Sequence, residues 1–319
     1  MLAQLQAKYP DEVNIVYRHY PLIGTPERPF HDKAALSAQA AEAAGRQDKF
    51  WEMHDLLFER QSEWVSLTVA DFQTWLIEAA GELDLDTDQF TEDLNDPANV
   101  AEIKAAWDTG NQIGLPGTPF LLIDGRIWPN NVPMDMANLS AVVELTQLEE
   151  KQFTECPPMT VDPLKQYTAT LHTNKGDIKI ELFADVAPMA VNSFIFLVNN
   201  GWFDGITFHR VVPNFVAQAG DPTGTGYGGP GYAFDNEVSA GLKFDQPGIV
   251  GMANAGPGSN GSQFFITYAP APQLDGGYTI FGKVIEGMDV ATSLTPRNPA
   301  EAGVLPEGDI IESVTIEEK

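Results

Sequence analysis

The stretch of sequence that decides the fold of the second half of the chain is Phe208–Asp221, which reads FHRVVPNFVAQAGD. Its apolar and β-branched residues predict short strands at Ile206–Val211 and Phe215–Ala219. Pro213 and Gly220 bound these runs, as residues that interrupt strands commonly do. The stretch is therefore typical of a domain built from short strands.

Strands of the same kind are predicted on both sides of this stretch. Thr168–Thr173 and Asp177–Phe183 alternate apolar with polar side chains around a turn at 174–176, which indicates an antiparallel pair with one buried face. One helix begins at Pro188 and ends at Gly201. The other predicted strands are Ile249–Ala253, Gln263–Thr267, Thr279–Val284 and Ile310–Ile316. So many short strands indicate a closed β-barrel or a β-sandwich.

A second stretch, Gly251–Ile266, reads GMANAGPGSNGSQFFI and is followed by LDG at 274–276 and FGKV at 281–284. Together with FHRVVPNFVAQAGD, these segments resemble the signatures of the cyclophilin family in both order and spacing. The resemblance covers essentially all of residues 167–319. It implies a mainly-β domain with an eight-stranded barrel and two helices. It also implies a peptidyl-prolyl cis-trans isomerase that accelerates X-Pro isomerisation during protein folding.

The chemistry of such an enzyme favours Arg210 as its catalytic residue. Rotation about a peptide bond is slow because the nitrogen lone pair is delocalised into the carbonyl, which leaves a barrier of about 18 to 20 kcal/mol. In the twisted transition state the prolyl nitrogen becomes pyramidal and can accept a hydrogen bond, so a fixed donor lowers the barrier. A guanidinium suits this task because it stays charged and offers several donors in a rigid fork. No nucleophile, metal or cofactor is required.

The resemblance also implies the rest of the site. The residues assigned to the catalytic centre are Arg210, Gln218 and Phe215. The residues assigned to substrate binding are His209, Val216, Ala253, Asn254, Gln263, Phe265, Gln273, Leu274 and Tyr278. The apolar slot for the proline ring would consist of Phe215, Val216, Phe265 and Leu274. Gln218 and Gln263 would position the guanidinium and the substrate carbonyl. The backbone of Ala253 and Asn254 would contact the residue before proline.

Three positions differ from the family pattern. Gln273 stands where the family usually has a tryptophan, and Val216 stands where it commonly has a methionine. Loss of the indole removes a flat apolar wall and a donor, so we expect weak binding of the macrocycle cyclosporin while peptide turnover is retained. Tyr278 stands where the family often has a histidine, and it offers a hydroxyl and a ring edge.

Each of these residues taken singly has a plainer interpretation. Aromatic residues in alternating strands, such as Phe215 and Phe265, are usually core residues. A lone arginine is more often part of a surface ion pair. The joint pattern favours the enzyme, and the alternative is a noncatalytic proline-binding or chaperone module.

A glycine-rich loop at 224–229 formally matches the Gly-x-Gly-x-x-Gly motif. A dinucleotide site needs this motif between a strand and a helix. Strands surround it here, so we expect a surface loop beside the proline slot. His31 and His54 lack partners at metal-ligand spacing, so no metal site is predicted.

The first half of the chain is predicted to be mainly helical. The predicted helices are 2–9, Asp32–Ala44, Lys49–Arg60, Val69–Ala80 after a capping box at Thr68, a helix from Asp96-Pro97 to Gln112, and Asp135–Leu148. Val13–Tyr17 is a β-branched run typical of a buried strand. Phe120–Ile123 and Ile127–Trp128 are predicted strands on either side of a turn at Asp124-Gly125.

The helical insertion between Val13–Tyr17 and Phe120–Ile123 resembles the DsbA-like branch of the thioredoxin fold. The segments YRHYPL at 17–22 and FWEMHDLL at 50–57 strengthen the resemblance. It implies an α/β thioredoxin-like domain in which Pro119 follows a cis peptide bond. The family's first strand and its Cys-x-x-Cys would lie upstream of Met1, so the chain as given is expected to lack both and to be redox-inactive.

Two explanations of these missing parts stay open. Either Met1 is an internal start in a longer protein that supplies an export signal and thiol-disulfide oxidoreductase activity, or the domain has become a binding or spacing module for client chains. A missing first strand exposes a sheet edge that folded proteins normally cover, which favours the first explanation. The first predicts an extracytoplasmic location and the second a cytoplasmic one, since no signal segment is visible in the chain as given.

Length and composition set the remaining bounds. The 319 residues predict two domains, 1–152 and 167–319, joined by a proline-containing linker at 153–166. The 45 acidic residues exceed the 18 basic ones and give a formal net charge of −27, which disfavours nucleic acid as a partner. The expected partners are unfolded or proline-containing polypeptides. Cys156 is the only cysteine, so no intramolecular disulfide can form. No apolar run is long enough to cross a membrane.

Overall fold

The computed structural model describes residues 1–25, 28–129, 132–238, 241–301 and 305–319. Contacts within the chain divide it into two units. The helical unit comprises Asn14–Pro133 with Leu2, and the sheet unit comprises Met1, Ala3–Val13 and Met134–Lys319. None of the helices in these described ranges is long and apolar enough to span a membrane.

The secondary structure of the described ranges consists of short strands and helices of mostly two to four turns. The helices are α1 (Leu2–Lys8), α2 (Ala34–Gly45), α3 (Phe50–Glu59), α4 (Gln61–Trp64), α5 (Val69–Glu82), α6 (Thr87–Leu94), α7 (Pro97–Gln112), α8 (Met136–Glu149), α9 (Pro188–Asn199) and α10 (Met288–Thr292). The strands are β1 (Gly24–Thr25), β2 (Arg28–Pro29), β3 (Leu122–Ile123), β4 (Arg126–Ile127), β5 (Tyr167–Thr173), β6 (Gly176–Leu182), β7 (Ile206–Thr207), β8 (Arg210–Val212), β9 (Val216–Ala219), β10 (Ile249–Met252), β11 (Phe264–Thr267), β12 (Ile280–Glu286) and β13 (Ile310–Glu318).

The helical unit has an apolar core formed mainly by residues of α2, α3, α5 and α6. The small side chains of α2 allow close approach of its neighbours, and the buried ones are Ala38, Ala40, Ala41, Ala43 and Ala44. Two helices begin where their sequence signals predict. The Thr68 hydroxyl accepts from the Asp71 N–H at the start of α5, and the Asp96 carboxylate accepts from the Ala98 N–H at the start of α7.

The predicted strand at Val13–Tyr17 is wrong. The structure assigns no strand there, and Val16 and Tyr17 are 65% and 40% exposed. A strand forms only where a neighbouring strand satisfies its backbone N–H and C=O groups. Among the strands of the described ranges, none pairs with this segment.

The hairpin predicted around Asp124-Gly125 is confirmed. Both residues have positive φ angles, 48° and 76°, and β3 pairs with β4 in antiparallel register. The described strands of the helical unit form two two-stranded sheets, β1–β2 and β3–β4, rather than one larger thioredoxin-like sheet. The Thr118-Pro119 peptide bond that precedes β3 is cis.

The sheet unit contains one nine-stranded antiparallel sheet with the order β7-β13-β5-β6-β12-β10-β11-β9-β8. Strands β7 and β8 lie at opposite ends of this order, yet only Phe208 and His209 separate them in the chain. Three residue steps span at most about 11 Å, so the two ends of the sheet must come close together and the sheet is curled. The predicted single strand Ile206–Val211 is therefore two strands, which makes nine where the resemblance implies eight.

Helix α9 and the inner face of the sheet form the main core of this unit. The helix begins at Pro188, as the sequence predicts. The Phe194 ring lies 5.0 Å from the ring of Phe203 and 5.6 Å from those of Phe264 and Phe281, measured between centroids. Strands β8, β9 and β11 contribute residues to this core, and the same strands carry residues of the candidate site.

Candidate active site

Arg210 lies on β8 directly opposite Gln218 on β9. Its Nη1 donates to Gln218 Oε1 at 3.4 Å, and its guanidinium carbon lies 5.5 Å from the centroid of the Phe215 ring. Both Arg210 and Phe215 are half-buried. The strand pairing and the cation–π contact together hold the guanidinium at the surface with donors still available to a ligand.

Gln218 and Gln263 form the next part of the site. Gln218 Nε2 donates to Gln263 Oε1 at 2.9 Å. Gln263 Nε2 donates to the carbonyl oxygens of Gly226 and Gly228, also at 2.9 Å. The two glutamines are thus oriented by a chain of hydrogen bonds that ends at Arg210. This chain leaves the Gln218 carbonyl as the acceptor that faces the guanidinium.

A small apolar cluster, called the recess below because it contains the residues of the predicted proline slot, adjoins the guanidinium through Phe215. Within it Val216 and Phe265 are 2% and 4% exposed, while Phe215, Leu274 and Tyr278 are partly buried. The Tyr278 ring meets the Phe265 ring edge-on at 5.6 Å between centroids. The structure therefore brings together the four residues of the predicted slot, with Tyr278 beside them.

Phe244 belongs to the same recess but was not among the site residues predicted from the sequence. It is fully buried and stacks on Phe265 with 5.5 Å between ring centroids. Its N–H donates to the Asp275 carboxylate at 2.8 Å. The recess also depends on Gly251, since a Cβ atom there would lie 2.7 Å from the Phe265 ring. Phe244 stands in a loop without strand or helix periodicity, so no local pattern marks it.

Ala253 and Asn254 follow β10 at the edge of the recess. The Ala253 N–H donates to the Gln263 carbonyl at 2.9 Å, so a backbone contact from Ala253 to a ligand would use its carbonyl. The Asn254 side-chain amide donates to the Gly277 carbonyl at 3.2 Å. It also faces the Asn236 and Asn260 side-chain oxygens at 3.2 and 3.3 Å. The sequence did not assign Asn236 or Asn260 to the site, and the structure places them 18 and 6 residues from Asn254 in the chain.

His209 and Gln273 are predicted binding residues that do not belong to the apolar cluster of the recess. His209 is 2% exposed, and neither of its ring nitrogens has a hydrogen-bond partner among the described residues. Burial lowers the pKa of His209 to about 4, against the opposing effect of the Asp221 carboxylate. The His209 ring thus lies inside the fold rather than on the recess. Gln273 is exposed in a single 3-10 turn, Pro272–Leu274.

The glycine-rich loop at 224–229 connects β9 with the region before β10 and lies next to the site. Tyr227 is 83% exposed, while the carbonyls of Gly226 and Gly228 face inward to Gln263. The loop therefore holds the side chain of Gln263 through two carbonyls. It lies between strands rather than between a strand and a helix, as expected of a surface loop.

The fold and this site together define an antiparallel β protein in which a half-buried arginine adjoins an apolar cluster of ring and aliphatic side chains. The family model described as cyclophilin type peptidyl-prolyl cis-trans isomerase matches residues 168–316. Peptidyl-prolyl cis-trans isomerase A of Mycobacterium tuberculosis is 49% identical over 147 residues, which cover 41% of this chain and 81% of that relative. The chain belongs to the cyclophilin family.

Further relatives and a second family model complete the comparison. Peptidyl-prolyl cis-trans isomerase CYP18-1 of Arabidopsis thaliana is 52% identical over 126 residues, covering 39% of this chain and 79% of that protein. A crystal structure of a cyclophilin type isomerase of Cryptosporidium parvum is 38% identical, with a TM-score of 0.44, and covers 48% of this chain and 98% of that one. The model of the DSBA-like thioredoxin domain matches residues 1–139.

Proposed function

We propose that the cyclophilin domain catalyses cis-trans isomerisation of X-Pro bonds in polypeptide chains, with Arg210 as the catalytic residue. The observation that carries this proposal is the half-buried guanidinium, held by Gln218 and placed over Phe215, beside an apolar recess. Relatives that carry the name of this activity are about half identical over most of their length. The natural substrates are proline-containing segments of chains that are still folding.

The mechanism uses the guanidinium as a hydrogen-bond donor. A proline ring in the recess of Phe215, Val216, Phe265 and Leu274 presents its nitrogen to Arg210. As the bond twists, the nitrogen lone pair is no longer delocalised and accepts from the guanidinium. The planar ground states lack this acceptor, so the interaction stabilises the transition state selectively. A donor whose direction is already set pays little reorganisation cost during the reaction.

Two finer features belong to the same proposal. The domain boundaries are 1–152 and 167–319 with a linker at 153–166, and the curled sheet closes as the cyclophilin barrel. The DsbA-like domain helps to hold unfolded clients of the isomerase.

The test replaces Arg210 and measures isomerisation of a short X-Pro peptide by NMR exchange spectroscopy. Arg210→Ala should lower kcat/KM by about 10² to 10³, the range seen when one transition-state donor is removed. Arg210→Lys should recover only a small part, because a single ammonium lacks the rigid fork. The matched control is Arg126→Ala, an exposed arginine on β4.

Circular dichroism establishes that each variant keeps the fold. The proposal is wrong if the native chain does not exceed the spontaneous rate, or if Arg210→Ala and Arg126→Ala are equally active.

A further inference from the structure

The end of α8 and the residues after it contact the glycine-rich loop of the site. Gln152 Nε2 donates to the Gly229 carbonyl at 2.9 Å, and the Phe153 N–H donates to the Pro230 carbonyl at 2.8 Å. Gly231 has a φ of 89°, and a Cβ atom there would lie 2.4 Å from the Phe153 carbonyl oxygen. The approach is therefore so close that it requires glycine at 231.

This segment is anchored to the sheet unit by Phe153. The Phe153 ring lies 4.8 Å from the Phe196 ring, 6.1 Å from the Trp202 ring and 6.4 Å from the Tyr232 ring, measured between centroids. Leu148 is 3% exposed and belongs to the same core. The edge-on contact with Phe196 and the two further rings nearby fix the position of Phe153. The backbone of the adjacent Gln152 is therefore held in place as well.

The same loop is held from its other side by Asp221. This carboxylate is fully buried and accepts from the N–H groups of Gly226 at 2.7 Å and Gly228 at 3.1 Å. It also accepts from the N–H and hydroxyl of Thr223. The loop thus has its N–H groups bonded to Asp221 inside the unit, while the carbonyl of Gly229 is bonded to Gln152.

The carbonyls of Gly226 and Gly228 lie in the part of the loop held by Asp221 and Gln152, and they orient the side chain of Gln263. Gly226 and Gly228 accept both hydrogens of the Gln263 amide, Gln263 accepts from Gln218, and Gln218 accepts from Arg210. The Gly228 carbonyl carbon is bonded to the Gly229 nitrogen in one planar peptide group, so the position of Gly229 bears directly on that of the Gly228 carbonyl. A direct structural path therefore leads from Gln152 to the guanidinium.

We propose that Gln152, supported by Phe153, is a positioning residue for the isomerase site. It holds the Gly228-Gly229 segment so that Gln263 and Gln218 present Arg210 in its catalytic direction. This inference rests on the proposed isomerase function and extends it to a residue outside the predicted catalytic domain. Catalysis by a fixed donor loses rate when the groups that hold the donor become loose.

The test replaces Gln152 by its isosteric acid. In Gln152→Glu a carboxylate oxygen faces the Gly229 carbonyl, so attraction becomes repulsion and the loop must move. The matched control is Gln166→Glu, which adds the same charge at an exposed residue whose side chain has no hydrogen bond among the described residues. We expect Gln152→Glu to lower kcat about threefold to tenfold relative to the control, the size of one net hydrogen bond.

Two further readouts distinguish positioning from a general loss of stability. The side-chain amide signals of Gln263 and Gln218 should shift in ¹⁵N NMR spectra of Gln152→Glu and not of Gln166→Glu. KM should change less than kcat, because the apolar recess is unaltered. Gln152→Ala removes the donor without adding charge and should show the same changes at smaller size, which keeps the test valid if the acid variant folds poorly.

The inference is overturned if the Gln152 variants match the control in kcat, or if kcat falls while the glutamine signals stay in place. Either result leaves the isomerase function intact as long as the native chain is active and Arg210→Ala is not. An inactive native chain instead refutes the function itself.

Discussion

Arg210 illustrates how the neighbours of a residue determine its task. A lone arginine more often forms a surface ion pair. Here its partner is the neutral carbonyl of Gln218, and its flat face lies over the ring of Phe215. None of the ion pairs recorded in the described ranges includes Arg210. A guanidinium without a carboxylate partner keeps its full donor strength for a ligand.

Gln273 provides a prediction about inhibitor binding at the residue scale. It is exposed at the rim of the recess, where the resemblance implies a tryptophan. We expect native cyclosporin affinity to be weak and Gln273→Trp to raise it at least tenfold, about 1.4 kcal/mol, because an indole adds a flat apolar wall and a donor. Calorimetric titration measures the change.

The control for this prediction is Gln166→Trp, which places the same side chain at an exposed position away from the recess. Equal affinities of Gln273→Trp and the native chain, or native inhibition already as tight as in tryptophan-containing relatives, would contradict the prediction.

His209 provides a prediction about pH. Burial lowers the pKa of His209 to about 4, whereas an unfolded histidine titrates near 6.5. Between these values the unfolded chain binds a proton that the folded chain does not. The contribution of this group to stability is therefore complete above pH 6.5 and is lost as pH falls towards 4, by about 3 kcal/mol in total.

Two measurements check the pH prediction. An NMR titration of the His209 ring should give a pKa near 4, and a ring that titrates near 6.5 refutes it. Urea unfolding between pH 4 and 7.5 should show a weaker pH dependence for His209→Asn than for the native chain, because the variant has lost the group that takes up the proton.

At the scale of elements, the start of α5 allows a test with an internal control. The Thr68 hydroxyl accepts from the Asp71 N–H at 3.2 Å and donates to the Asp71 carboxylate at 2.7 Å. Thr68→Ala should lower the free energy of unfolding by about 1 kcal/mol, as expected for the loss of an N-cap. Thr74→Ala makes the same chemical change inside the helix, where alanine is favoured, and should be neutral or slightly stabilising.

Urea unfolding followed by far-ultraviolet circular dichroism measures both variants. If Thr68→Ala costs no more than Thr74→Ala, the cap does not stabilise α5 in the intact chain.

Most elements were predicted from the sequence within a few residues, and the errors have physical causes. Helices α5 and α7 begin at N-cap residues that are recognisable in the local sequence. Helices α4 and α10 are only four and five residues long, too short to show a helical period. The run Val13–Tyr17 has the composition of a strand but lacks a partner, and partners are decided by distant parts of the chain.

At the scale of the whole molecule, two different architectures follow one another in the chain. The helical unit is stabilised by contacts between helices. The sheet unit is stabilised by pairing between strands that are far apart in the chain, such as β5 and β13. Both units carry part of the formal net charge of −27, which repels polyanions. That nucleic acid is not a partner of this chain stays a prediction.

The sequence by itself indicated the family and the approximate bounds of most strands, and it singled out Arg210 as the proposed catalytic residue, because signature segments and two-residue alternation are local properties. Only the tertiary structure decided the contacts across the chain: Phe244 beneath the recess, His209 inside the fold, and Gln152 bonded to a carbonyl 77 residues away. Contacts of that separation leave no periodic trace in the residues that make them, since they depend on how the curled sheet brings its loops together.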